Sequence, residues 1–250
     1  MIALHNSSDI YFEYWSAALT KNNLSWKVVD CMSSDIVHDL DDVDILLWSW
    51  HHNDPSAQLM ARALIKALEL KNIRVYPDFN TCWHFDDKIA QKYLLEVIRA
   101  PLIKSDVFFS KADALAWLER IQFPFVFKLR NGAGSDNVRL ISSKSSARKM
   151  IRRMFKGKVG YLTRLTPLNE ALMRFRRTKS WRNFLTIFRG LGRSVVVHPA
   201  IRRLAPQRDY FYAQEFVPGQ NCDIRVIVIG NRAFGFRRMV RPGDFRASGS

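Results

Sequence analysis

The sequence predicts an α/β chain with a parallel strand–helix layer near its start and a more hairpin-rich α+β region after it. Three observations point there. Short apolar runs alternate with amphipathic helical runs over the first ~100 residues, the pattern of parallel βα units. A glycine-bearing turn then separates two strand-like runs, as in a hairpin. Further β-like runs follow near residues 210–236.

The elements follow in order. Ile2 to His5, Trp26 to Asp30 and Val43 to Trp48 are apolar runs of strand length. The third has the continuous apolar character of a strand buried on both faces. Asp54-Pro55 predicts a helix N-cap followed by proline at the first helical position. Met60, Leu64 and Leu68 continue that helix as a stripe at four-residue spacing. Ile73 to Tyr76 is the next strand, ended by Pro77. Asp86-Asp87 opens a helix whose apolar stripe is Ile89, Tyr93 and Val97, and Pro101 ends the element. Ser110 to Asp113 resembles a capping box and starts a short helix reaching Arg120. Phe123 to Leu129 and Val138 to Ile141 form the hairpin. Helical stretches are expected over 147–155 and 169–177, and a strand over 195–197. Tyr210 to Val217, Ile224 to Ile229 and Arg232 to Phe236 return to β character.

Composition narrows the class. Hydrophobic residues make up 48% of 250, enough for a sizeable core. No apolar run approaches the ~20 residues of a membrane span, and Met1 to His5 lacks a signal-peptide pattern. A cytoplasmic protein is expected. The three cysteines, Cys31, Cys82 and Cys222, are far apart and form no Cys-x-x-Cys, which argues against a disulfide framework or zinc site. The net charge is +16, and it is local. Residues 139–208 hold 19 Lys and Arg against one acid, Glu170, whereas the rest holds 20 basic and 22 acidic residues.

Four features carry chemistry. Asp87-Lys88 lies at a helix start. Phe125-Val126-Phe127-Lys128 ends a strand in a lysine and runs into a turn bearing Gly132, Gly134 and Ser135. Backbone N–H groups of such a turn can close over a phosphate while the lysine supplies charge. Gln214-Glu215-Phe216-Val217 is followed by Asp223-Ile224-Arg225. Arg238 then precedes Gly243 to Ser248. The turn leads from strand to strand, so neither the Walker nor the Rossmann fingerprint applies.

Each feature alone is weak, but in this order they resemble the ATP-grasp family, closest to its ribosomal-protein-modifying glutamate ligases and similar carboxylate–amine ligases. The matching pieces span residues 86–248. The resemblance implies a Rossmann-like pre-ATP-grasp domain over 1–85 and an incomplete ATP-grasp domain over 86–250, with a basic helical insertion at about 145–208. It also implies roles. Lys128 contacts the nucleotide phosphates, Lys88 is a second phosphate-side lysine, and Gly132, Gly134 and Ser135 belong to the covering loop. Glu215, Phe216 and Val217 form the hinge at the adenine edge, and Asp223 lies on the ribose side. Arg225, Arg238 and Arg246 serve the γ-phosphate and acceptor, with Ala247 and Ser248 extending the ATP-contacting strand. The implied chemistry is Mg-ATP-dependent: a carboxylate is activated as an acylphosphate, and an amine or similar nucleophile displaces phosphate. A phosphotransferase using the same ATP site, or a non-catalytic ATP- or polyanion-binding module, are the alternatives.

Two departures accompany the resemblance. The family's magnesium ligands would fall beyond Ser250, so no metal ligand is assigned and a partial chain, inactive alone, is expected. The 139–208 segment is longer than the family's usual connection. Its interleaved arginines and aromatics suit peripheral contact with an anionic membrane or another polyanion, and no nucleic-acid module is visible. His51-His52 and Trp83-His84 are secondary candidates for substrate and nucleotide contact. The substrate itself is not encoded in a recognisable motif.

Overall fold

The computed structural model describes residues 1–7, 9–51, 54–131, 138–157, 159 and 207–240. The expected elements over 169–177 and 195–197 lie outside these, as do Gly132, Gly134, Ser135, Arg246, Ala247 and Ser248. The chain divides into two compact units, Met1–Gln91 and Lys92–Ser250.

The first unit is a parallel α/β layer. Strands β1 (Ile2–His5), β2 (Trp26–Val29), β3 (Ile45–Leu47) and β4 (Arg74–Tyr76) stand in the order β2-β1-β3-β4, every pair parallel. Helices α1 (Ile10–Lys21), α2 (Ile36–Asp39), α3 (Pro55–Leu70) and α4 (Phe79–Cys82) intervene. Caps set the helix starts, because the first N–H groups of a helix lack internal partners. Asp9 accepts from Phe12 N, Asp54 from Ser56 N and Ala57 N, and Asp78 from Thr81 N. Pro55 occupies the first turn of α3, as the sequence predicts. The α3 stripe also holds: Leu64 and Leu68 are buried and Met60 packs beside them. With Leu46, Trp48 and Ile65 they form the core of this unit.

The second unit contains an antiparallel sheet. Strands β5 (Ser105–Phe108), β6 (Phe125–Lys128), β7 (Val138–Ile141) and β8 (Phe211–Glu215) stand in the order β5-β8-β6-β7. The β6–β7 hairpin is the one expected from the glycine turn. On one face, Phe125, Phe127 and Phe211 pack with Trp117 of α6 (Lys111–Leu118); Phe127 and Phe211 stack at 5.4 Å between centroids. Helix α7 (Lys144–Met154) buries Ala147, Met150, Ile151 and Met154, and leaves its cationic side outward. Lys144 and Arg148 of α7 pair with Glu119 at the end of α6.

Helix α5 (Lys88–Val97) corrects one expectation. Of its predicted stripe only Ile89 is buried, while Tyr93 is 44% and Val97 81% exposed. Lys92 is the more covered side chain, 11% exposed, and it pairs with Glu96 on the same helix close enough to act on the Tyr212 hydroxyl of β8.

The remaining strands, β9 (Cys222–Ile229) and β10 (Arg232–Met239), form a separate antiparallel hairpin. Gly230, with φ +58°, takes the left-handed conformation that its two-residue turn requires. Ile224, Val226, Ile227, Val228, Phe234 and Phe236 are all exposed, so the hairpin shows apolar side chains on both faces.

Candidate functional site

Alternation along the antiparallel sheet divides its two faces. Phe125 and Phe127 turn towards the helices, so Lys128 belongs to the opposite face, with Gln214 and Ser105 from the neighbouring strands. There the side chains form one network. Lys128 Nζ donates to Gln214 Oε1, Gln214 Nε2 donates to Ser105 Oγ at 2.9 Å, and Ser105 Oγ donates to Ile103 O at 2.8 Å. The lysine is thus steered by a chain crossing β6, β8 and β5, which fixes its head group before any ligand arrives.

The glycine turn is anchored where it leaves β6. Arg130 N donates to Tyr210 Oη at 2.7 Å, and Tyr210 Oη donates to Gln207 Oε1 at 3.0 Å. Gln207 Nε2 reaches Asn131 Oδ1 at 3.2 Å, and Arg130 Nε reaches the same oxygen. Tyr210 and Gln207 were not legible as site residues, since their partners lie about 80 positions earlier. The one local signal is that Tyr210 opens the apolar run that becomes β8, which it immediately precedes.

The predicted hinge starts at Glu215, the last residue of β8. Glu215 pairs with Phe125, and Tyr212 with Lys128, so hinge and lysine stand three residues apart along the strands, about 10 Å. That separation suits the distance between the base and the phosphates of a nucleotide. Glu215 N already donates to Lys104 O at 2.9 Å. Its carbonyl and the Phe216–Val217 backbone are therefore what the hinge offers to a base. Glu215 and Phe216 border a cleft of about 520 Å³ with Trp117, Phe123 and Phe125, and Lys128 is not among its walls.

On the β9–β10 hairpin, Asp223 and Arg238 are cross-strand partners joined by two bonds of 2.8 and 2.6 Å. Hydrogen bonding to Asp223 holds the Arg238 pKa above its ordinary value. The predicted ribose-side acid and phosphate-side arginine are therefore each other's partners, with Arg225 two residues along the same face.

In the first unit Lys88 begins α5 beside Asp87, whose Oδ1 caps Ile89 N and Ala90 N. Burial lowers the Lys88 pKa, and Asp86 and Asp87 oppose that shift. Burial likewise raises the Cys31 thiol, and pushes Cys82 up to about 11, so both are inert core thiols. His51 follows β3, His84 lies in the turn after α4, and His52 is outside the described residues.

Among the described residues, no group of three His, Cys, Asp or Glu is placed to hold a metal ion. None of their helices is long and apolar enough to cross a membrane.

No family model matches the sequence, and no curated protein is significantly similar to it. Solved structures do match. An ATP-grasp RimK domain protein from Sphaerobacter thermophilus aligns at 13% identity with a TM-score of 0.54, over 93% of this chain and 70% of that one. N5-carboxyaminoimidazole ribonucleotide synthetase from Thermus thermophilus aligns at 11% and 0.51, over 95% and 52%. Phosphoribosylamine–glycine ligase from Thermotoga maritima aligns at 10% and 0.50, over 94% and 49%. The chain spans about half the length of the last two. At these identities the likeness establishes the fold: a parallel α/β sheet followed by an antiparallel sheet, as in ATP-grasp proteins.

Proposed function

We propose that the chain is the nucleotide-binding part of an ATP-dependent ligase that joins a carboxylate to an amine through an acylphosphate. The observation carrying this reading is Lys128. It ends a central strand at the root of the glycine turn, is held by Gln214, and stands one short strand from the Glu215–Val217 hinge.

The residues divide the work. The backbone of Glu215, Phe216 and Val217 reads the adenine edge, and Lys128, with Lys88, neutralises phosphate charge. Gly132, Gly134 and Ser135 close over the phosphates and exclude water, which would otherwise hydrolyse an acylphosphate. Asp223 serves the ribose side. Arg225, Arg238 and Arg246 match the planar oxygens of phosphate and carboxylate, and Ala247 and Ser248 are assigned to ATP contact beside Arg246. Phosphoryl transfer asks mainly for positioning and charge neutralisation, which such a set provides. ATP would supply the phosphoryl group, leaving ADP and phosphate as products. Among the described residues, no cluster of His, Cys, Asp or Glu fits magnesium.

The test is ATP affinity of the chain and of Lys128→Ala. Losing one phosphate contact should weaken binding about tenfold or more. Undiminished affinity in the variant would remove Lys128 from the site. In a longer chain with turnover, hydroxylamine should trap the acylphosphate. A phosphorylated product without hydroxamate would identify a phosphotransferase, and ATP binding without any turnover a binding module.

The 139–208 segment is proposed to dock on an anionic surface at the cytoplasmic side of a membrane. Its described part supports this through α7, whose outward face carries Arg148, Lys149 and Arg152. Cosedimentation with vesicles should require anionic lipid and fall with salt.

A further inference from the structure

The first unit carries a cleft that the nucleotide reading leaves unused. It measures about 330 Å³ and opens at the carboxyl ends of β3 and β4. Its walls include Tyr11, Trp15, Trp48, Trp50, Tyr76 and Phe85. The chain runs from β1 to β2 on one side and later to β3 on the other, so this edge is the switch point of the sheet. Parallel sheets take their ligands there.

The rings form two connected sets. Tyr11, Trp15 and Tyr76 follow one another at 5.9 and 6.0 Å between centroids. Trp48, Trp50 and Phe85 do so at 5.2 and 5.7 Å. Tyr11 is 54% and Tyr76 62% exposed, so their ring faces are open to a ligand entering the cleft. Trp48 itself is fully buried and forms the floor of the cleft with its ring.

The charge around the cleft decides what kind of ligand suits these ring faces. Among the described residues, no charged side chain lines it. Asp9 takes a hydrogen bond from Ser49 of the wall, and Asp78 caps α4, which contributes Thr81 and Cys82 to the wall. Asp54 acts on His5 at the same edge, and Glu69 accepts from Phe79 N. Against these stand Arg62, bound to Phe85 O, and Lys66, paired with Glu69. The whole unit holds seven Lys and Arg against thirteen Asp and Glu. Each capping carboxylate carries a full charge, whereas a helix end carries about half of one. The field at the cleft is negative, and aromatic faces attract cations.

We propose that this cleft binds an organic ammonium group. The proposal deepens the ligase reading and rests on it for the ligand's meaning: a cationic group of the amine substrate. A charged ammonium has no lone pair to attack with, so the group held here is a positioning handle and not the nucleophile.

The experiment titrates the full chain, without nucleotide and at fixed ionic strength, with choline and with the neutral alcohol in which carbon replaces its nitrogen. Calorimetry and tryptophan fluorescence report binding. Choline should bind about tenfold or more tightly than its isostere. The double variant Asp9→Asn, Asp78→Asn keeps both caps, because asparagine caps as well as aspartate. It should weaken choline several-fold and leave the isostere unchanged. Tyr76→Leu, at an exposed position, should narrow the preference for the cation. Equal affinity for choline and isostere, tighter binding of neutral indole, or no binding of choline would each overturn the proposal. Loss of ATP binding with choline binding intact would overturn the ligase reading alone.

Discussion

His5 ends β1 with its ring against Trp48, and its Nδ1 accepts the Cys31 N–H at 3.1 Å. That bond needs the neutral ring. Burial lowers the His5 pKa from its ordinary 6.5, although Asp30 and a hydrogen bond involving Val29 oppose the shift. The unfolded state therefore binds the proton more readily, and stability must fall with acid. The contribution is complete above pH 6.5 and is lost as the pH falls through the folded value. Urea midpoints between pH 7 and 5 should decline less in His5→Asn than in the parent. Equal slopes would place the acid sensitivity elsewhere. Tyr210→Phe addresses the glycine turn. It removes the acceptor of Arg130 N and a donor to Gln207, and should cost about 1 kcal/mol in urea unfolding. It should also weaken ATP, because the turn loses its anchor; a stability loss with unchanged nucleotide affinity would separate the two roles. Lys128 was legible as a strand-end lysine before glycines. Gln214 and Ser105, which hold it, were not legible as its partners, because pairing across 86 and 109 positions leaves no local trace.

At the scale of elements, legibility followed local signals. The α3 start was readable because Asp54 and Pro55 sit at fixed helical positions, and its burial because Leu64 and Leu68 recur at the right spacing. Asp54→Ala should cost about 1 kcal/mol in unfolding free energy and Asp54→Asn almost nothing. Similar losses in both would show that charge, and not the cap, carries the effect. Helix α1 carries no legible stripe because its aromatic residues circle it: Tyr11 and Tyr14 are exposed, while Leu19 is its one buried residue. Strand β5 leaves little trace because four residues, Ser105 to Phe108, make too short an alternation, and among the described residues it pairs with β8 alone. The α5 stripe differs from its expected burial because spacing shows which residues share a face but not which face is covered.

At the scale of the molecule, the described surface is uneven. The β9–β10 hairpin alone is a two-stranded ribbon, a form that is marginal in water. Val226 and Val228 share one of its faces, at 61% and 69% exposure. Such a surface drives association. Val226→Lys with Val228→Lys should lower self-association in sedimentation velocity, and an unchanged distribution would show that other surfaces dominate. The antiparallel sheet also fixes an order of events. Its inner strand β8 is the last of the four along the chain, and β5 and β6 are joined to each other only through β8. On a ribosome, the face that carries Lys128 and Gln214 cannot exist before residue 214 has emerged, about a hundred residues after β5. The β6–β7 hairpin must wait with an open edge through that interval, an invitation to non-native pairing that chaperones ordinarily suppress. In pulse-labelled refolding, amide protection should reach β6 and β7 first, and β5 together with β8 only later.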